Sequence, residues 1–250
     1  MERNESFAVA NLNDLIVHMA WAQIEVFADD IEHVQVLVAG DENSVRDLRI
    51  EQNADELLVE QPQYGLSLNI TDSRWMQVCI RVPKTWDKKI HVFTIGGPLS
   101  ARGLTGNRIV LDTVSGDLRA SRITSESLSL KTVSGDIRSD KLTAESITVR
   151  TVSGNITLED ASGKIYKCTT VSGEIKLKLK DAFTQIDLRS VSGDITLLSP
   201  VKRMSVSTRS LNGRVVANGV ELSEDKASLA PPLVRVTGVS ADLHLIYTEA

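Results

Sequence analysis

The side chains in this sequence that could do chemistry recur at a fixed interval. One follows each of a series of glycines: Asp117, Asp136, Asn155, Glu174, Asp194 and Arg214. Stacked on successive strands, such carboxylates would stand ~4.8 Å apart, close enough for their oxygens to share a divalent cation such as Ca²⁺. Calcium-binding solenoids, however, take their ligands from glycine-rich turns with a period of about nine residues. This chain offers one carboxylate per 19, and Asn155 and Arg214 interrupt the row. The pattern fits turns better, each side chain accepting hydrogen bonds from nearby backbone N–H groups. Hydroxyls recur as well, at Thr113, Thr132, Thr151 and Thr170 and at Ser115, Ser134, Ser153 and Ser172. No His or Lys recurs beside them as a base, so they read as hydroxyl ladders and not as nucleophiles.

Basic residues form another row. Lys131, Arg150, Arg189 and Arg209 precede the repeated glycines at one fixed position, and Lys176, Lys178 and Lys180 lie nearby in sequence. Such a row could follow an anionic polymer or a phosphate-rich surface. It could equally be a solvated face whose charges keep the strands from pairing with other chains. Acidic residues are interleaved and no aromatic platform accompanies the row, which argues against single-stranded nucleic acid. Cys79 and Cys168 form no CxxC motif, and His18, His33, His91 and His244 have no metal-ligand spacing. The sequence implies no metal and no cofactor.

These residues are positioned by a repeat. TVSGDL at 113–118 returns as TVSGDI at 132–137, TVSGNI at 151–156, TVSGEI at 170–175, SVSGDI at 190–195 and SLNGRV at 210–215. Its glycines, Gly116, Gly135, Gly154, Gly173, Gly193 and Gly213, are spaced by 19, 19, 19, 20 and 20 residues. Gly97, in the weaker copy TIGGPL, lies another 19 back, and a degenerate GVSADL follows at 238–243. Apolar columns keep the same phase. Five before the Val of each VSG stand Ile109, Leu128, Ile147, Tyr166, Ile186 and Val206, and three before it Leu111, Leu130, Val149, Cys168, Leu188 and Thr208. The Val itself forms a column: Val114, Val133, Val152, Val171, Val191 and Leu211. Alternation with period two marks strands, and the VSGD segment marks a bend at which glycine supplies the φ > 0 a sharp corner needs.

Short strands and tight corners in a 19-residue unit predict an all-β fold, a β-solenoid resembling a parallel β-helix. Coils of that kind bury their apolar faces only by stacking. Six to eight regular coils would make a rod of roughly 40 Å. Aromatics are 4% of the 250 residues, as expected of a narrow core of stacked aliphatics in which a ring would push its neighbours apart. Residues 1–93 carry a net charge of −8, hold all three tryptophans and read as an irregular acidic β segment leading into the coils. Residues 94–220, with the regular repeats, form the solenoid proper. The remainder, 221–250, is interrupted by Pro231 and Pro232 and reads as a C-terminal coil whose last strand caps the stack.

The VSGDI-type repeats, with the Val-Pro strand at 80–83 ahead of them, resemble the putative adhesin family of bacterial β-strand-repeat (VSGD-repeat) proteins. The resemblance implies a solenoid, a connection with the cell envelope and no catalytic residues. The chain itself, at −5 overall and 42% hydrophobic, has no run approaching the ~20 apolar residues of a membrane-spanning helix and no signal-peptide pattern. As written it reads as cytoplasmic, with envelope association implied by the resemblance alone. The function expected is a non-catalytic scaffold or binding module for an extended polymer or protein surface. A polysaccharide lyase or hydrolase is the alternative, although its paired acids are not evident in a repeating row. Self-assembly through the solenoid ends is a third reading.

Overall fold

The computed structural model describes residues 1–62, 75–210, 212–222 and 231–248. Leu211 of the Val column lies outside these residues, as do 63–74 of the N-terminal segment and 223–230 of the C-terminal one. The fold is all-β and solenoid-like. Strands Thr105–Ser115, Leu118–Lys131, Ile137–Arg150 and Ile156–Ser172 pair in parallel, each residue opposite its equivalent in the next repeat. Leu118 thus faces Ile137, Ile137 faces Ile156 and Ile156 faces Ile175. The columns at five and three before the Val are buried from Ile109 to Ile186 and from Leu111 to Leu188. Period-two alternation places these side chains in the core and the intervening polar ones outside.

One member of the inner columns is a ring. Tyr166 is fully buried in line with Ile147 and Ile186, contrary to the expectation that a ring would spread the coils. Small neighbours make the room. A Cβ on Gly163 would lie 3.2 Å from the Tyr166 hydroxyl, and the next buried position along its strand is Cys168.

At both ends of the stack the chain departs from sequential order. Strand Gln185–Ser192 is followed in space by Leu233–Ser240 and only then by Arg203–Arg209. In the same way Ile195–Ser199 is followed by Leu243–Tyr247 and then by Val215–Asn218. The chain passes over one level, builds the next, and returns to fill the gap. The last strand is therefore not a cap, as its sequence position suggested; it is hydrogen-bonded on both edges, and 203–222 lies outside it. The N-terminal end mirrors this arrangement. Asp14–Trp21 lies between Glu56–Glu60 and Lys89–Gly96, and Gln23–Asp29 lies between Met76–Pro83 and Leu99–Arg102. Strand His33–Gly40 then adds antiparallel to Met76–Pro83, and Glu2–Ala8 adds antiparallel outside that.

The N-terminal segment, which read as β throughout, contains a short helix, Glu42–Asp47. Asp41 is its N-cap, accepting a hydrogen bond from the Ser44 N–H at 3.0 Å, and Val45 is buried from the helix. Six residues are too few to show a helical period in sequence.

The returning C-terminal coil buries Leu233, Val234, Val236, Leu243 and Leu245. At ~1.5–3 kcal/mol per buried side chain this amounts to on the order of 10 kcal/mol, comparable with the whole stability of an ordinary domain. Deleting residues 231–250 should therefore abolish the cooperative melt followed by far-UV circular dichroism. A truncated chain that melted cooperatively near the parental Tm would contradict the intercalation.

Candidate functional site

The repeated corner is where the sequence concentrates its polar chemistry, and the geometry there is repetitive. Each glycine sits against the carbonyl of the glycine one level below. A Cβ on Gly116, Gly135, Gly154 or Gly173 would lie 2.0–2.2 Å from the carbonyl oxygen of Gly97, Gly116, Gly135 or Gly154 respectively. Gly135, Gly154, Gly173 and Gly193 also have φ between +133° and +153°, a backbone conformation that favours glycine. The glycine N–H groups run the other way, as in Gly135 to the Ser153 carbonyl at 3.0 Å. The glycine carbonyls accept hydrogen bonds from the buried hydroxyls of the following level. Thr132, Thr151 and Thr170 donate to Gly116, Gly135 and Gly154 at 3.2–3.3 Å, and Ser190 donates to Gly173 at 3.3 Å. These threonines are structural donors facing inward, out of reach of a substrate.

The residue after each glycine points along the stack. Asp117 Oδ1 accepts from the Asp136 N–H at 3.1 Å, Asp136 Oδ1 from the Asn155 N–H at 2.8 Å, and Asn155 Oδ1 from the Glu174 N–H at 2.9 Å. At the far end the ladder passes through the returning coil, from Asp194 to the Asp242 N–H and from Asp242 to the Arg214 N–H. The partner is thus the next coil and not the local turn expected from the sequence. This explains how Asn155 fits among carboxylates, since only one acceptor oxygen is needed. The outer oxygens of Asp117 and Asp136 pair with Arg119 and Arg138 at 3.3 and 2.6 Å. Among the described residues no three His, Cys, Asp or Glu side chains are grouped to hold a metal ion.

The basic row divides between two faces. Lys131 and Arg150 are neighbours, Thr169 follows, then Arg189, then Thr237 of the returning coil, then Arg209. Lys176 and Lys178 lie on another face and pair with Glu159 and Asp160 at 2.9 and 3.2 Å. Lys180 is exposed at the end of that run, its N–H bonded to the Ala161 carbonyl. Beside Lys131, Arg150, Arg189 and Arg209, on the same sheet face, runs the Val column. These valines are not core: Val133, Val152, Val171, Val191 and Val239 are 43–47% exposed. Their spacing in sequence was visible. Their outward direction follows from the inward Thr or Ser beside Val133, Val152, Val171 and Val191.

Sequence reasoning missed a second corner. Gly103, Arg122, Lys141 and Asp160, each 19 residues after the last, all have φ between +52° and +67°. Three non-glycine residues hold a left-handed conformation there, so no glycine signal marks the turn. Burial pushes the Cys168 thiol up to about 12, and burial, then Glu25, raises Cys79, the opposite of the shift that activates a cysteine. A shallow depression of about 400 Å³ includes Ile16, His91, Arg108, Val110 and Lys131. Burial lowers the His91 pKa, and His18 stands edge-on to it at 5.5 Å.

Comparison with known proteins places this geometry. Residues 12–229 match the Toastrack DUF4097 family. A solved structure from Parabacteroides distasonis, described as a putative adhesin, aligns with a TM-score of 0.62 at 15% identity over 98% of this chain and 97% of its own. A putative adhesin from Bacteroides fragilis gives 0.54 at 15% identity, over 98% and 97%. A third, from Parabacteroides distasonis and described as a putative lipid binding protein, gives 0.55 at 12% identity, over 97% and 96%. No curated protein sequence matches the chain.

The glycine corner is directly testable. Gly154→Ala puts a Cβ 2.0 Å from the Gly135 carbonyl at φ +151° and should cost at least ~3 kcal/mol in urea unfolding. Val152→Ala, two residues away and outward, should stay within about 1 kcal/mol. Tyr166→Phe should be neutral or slightly stabilising, because the buried hydroxyl makes no hydrogen bond to the described residues.

Proposed function

We propose that this chain, which belongs to the Toastrack DUF4097 family, is a non-catalytic binding scaffold whose stacked coils present flat rows of side chains to an extended partner. One observation carries this reading: the recurrent polar groups at the corner are occupied by bonds between coils, while the outward rows of the adjoining sheet are open. On this reading 94–220 is the presenting rod of ~19-residue coils. Residues 1–93 are the acidic end that closes one side of it, and 221–250 is the coil that locks the other. The basic residues Arg150, Arg189 and Arg209, with Lys131 beside Asp112, are its contact row, whereas Lys176 and Lys178 lie on another face among carboxylates. The adhesin descriptions of the similar structures favour a role at the cell envelope. Among the described residues no helix is long and apolar enough to cross a membrane.

Paired carboxylates across a groove would be the mark of a glycoside hydrolase. The acidic ladder here spends its inner oxygens on neighbouring backbone N–H groups. The reading predicts no release of reducing ends or unsaturated products when the protein is incubated with a panel of bacterial and plant polysaccharides. Turnover lost in Asp136→Asn or Asp194→Asn would replace the scaffold with an enzyme.

A further inference from the structure

The sheet face that carries the exposed valines differs from the rest of the surface in its charge balance. From the level of Arg108 onward its outward rows hold Arg108, Lys131, Arg150, Lys167, Arg189, Arg235 and Arg209 against two carboxylates, Asp112 and Asp187. Both carboxylates are already paired, Asp112 with Lys131 at 3.3 Å and Asp187 with Arg235 at 3.7 Å. Arg108, Arg150, Lys167, Arg189 and Arg209 make no ion pair among the described residues. The other broad face behaves differently: Arg81, Arg102, Arg119, Arg138, Lys176 and Lys178 each meet a carboxylate within 4.0 Å.

The valines lie in register along one edge of this cationic face. The N–H groups of Val133, Val152 and Val171 each donate to the carbonyl of the valine one level below, at 3.2–3.3 Å. With Ile95 and Val114 below and Val191 and Val239 above, the row runs about 30 Å. Arg189 and Val191 sit two apart on one strand, hence on the same side of the sheet and ~7 Å from one another, and Val133 and Val152 follow Lys131 and Arg150 by two residues just past the ends of their strands.

We infer that this face docks on a bilayer rich in acidic phospholipid, the valine row entering the headgroup layer and the adjoining cations meeting the lipid phosphates. The inference rests on the binding-scaffold reading and names its partner. A straight apolar row beside uncompensated cations matches a planar surface that is anionic outside and apolar beneath. A soluble polyanion would engage the cations and leave the valines in water. Rotation of the rod about its long axis brings the valine edge deepest, and the flexible Arg and Lys stems then reach back to the phosphates.

The test is flotation of the full chain with vesicles of phosphatidylcholine alone or mixed with phosphatidylglycerol. The expected result is binding to the mixed vesicles only, weakened by added salt. Arg150→Glu with Arg189→Glu should reduce it at least about tenfold, each basic charge near an acidic surface being worth roughly fivefold. Val152→Ser with Val171→Ser should reduce it several-fold at unchanged charge, circular dichroism showing both variants folded. Salt dependence of the unaltered chain stands independently if a variant fails to fold. Equal binding to neutral vesicles, or no binding, overturns the proposal. So does capture by soluble dextran sulfate that the serine variant retains in full, which would leave the scaffold reading standing with an anionic polymer as its partner. Polysaccharide turnover would instead remove the scaffold reading itself.

Discussion

Each coil is seated on the one below by a contact that tolerates no side chain. The carbonyl oxygen of one corner glycine occupies the space where a Cβ of the next would be, 2.0–2.2 Å away along the regular stack. Much of the remaining corner chemistry serves this approach. The inward threonine supplies a donor to the same carbonyl, and the following Asp or Asn accepts an N–H from the level above. Backbone groups brought this close have to find partners, and the TVSGD repeat contains them in order. The motif is rich in the residue types of an active site because the side chains that satisfy backbone groups are also those that do catalysis.

The two returning coils carry the exception. Ala22 stands at the glycine position of the N-terminal one and Ala241 at that of the C-terminal one, next to Gly97 and Gly193. At the second of these levels the N–H of Gly193 reaches the Ser240 carbonyl at 3.5 Å, against 3.0–3.1 Å along the regular stack. A methyl group at the tightest contact is compatible with a slightly wider step. That widening occurs where the chain has departed from sequential order.

The repeat, its period and its buried columns were legible because stacking forces equivalent residues into equivalent environments. Three things were not. The Val column looks like core by composition, and only its place between an inward Thr and the bend shows that it faces water. The corner at Arg122, Lys141 and Asp160 lacks the glycine that would announce it, since three ordinary residues adopt positive φ there. The order of the terminal coils is invisible in principle. A strand such as Leu233–Ser240 has the same pattern whether it ends a stack or fills one, and only pairing on both edges tells the two apart. The same holds for the basic row, whose members are near in sequence but divided between faces by a corner.

The returning coils also set an order of assembly. In the middle of the rod every pairing joins residues about one repeat apart, as Leu118 with Ile137, so these coils can form as a growing chain emerges. Leu15, by contrast, pairs with Ile90, and Gln185 pairs with Leu233 across a level laid down between them. The first of these residues made cannot complete their coil until about 75 have followed, and the C-terminal gap closes last. Pulse-labelled hydrogen exchange during refolding should see amides of 118–170 protected before those of 14–29 and 233–247; the reverse order would show that the ends nucleate the rod. A protein built from near-identical units thus acquires a direction in time, from the centre outward, with each end closed by a segment distant in sequence from its neighbours.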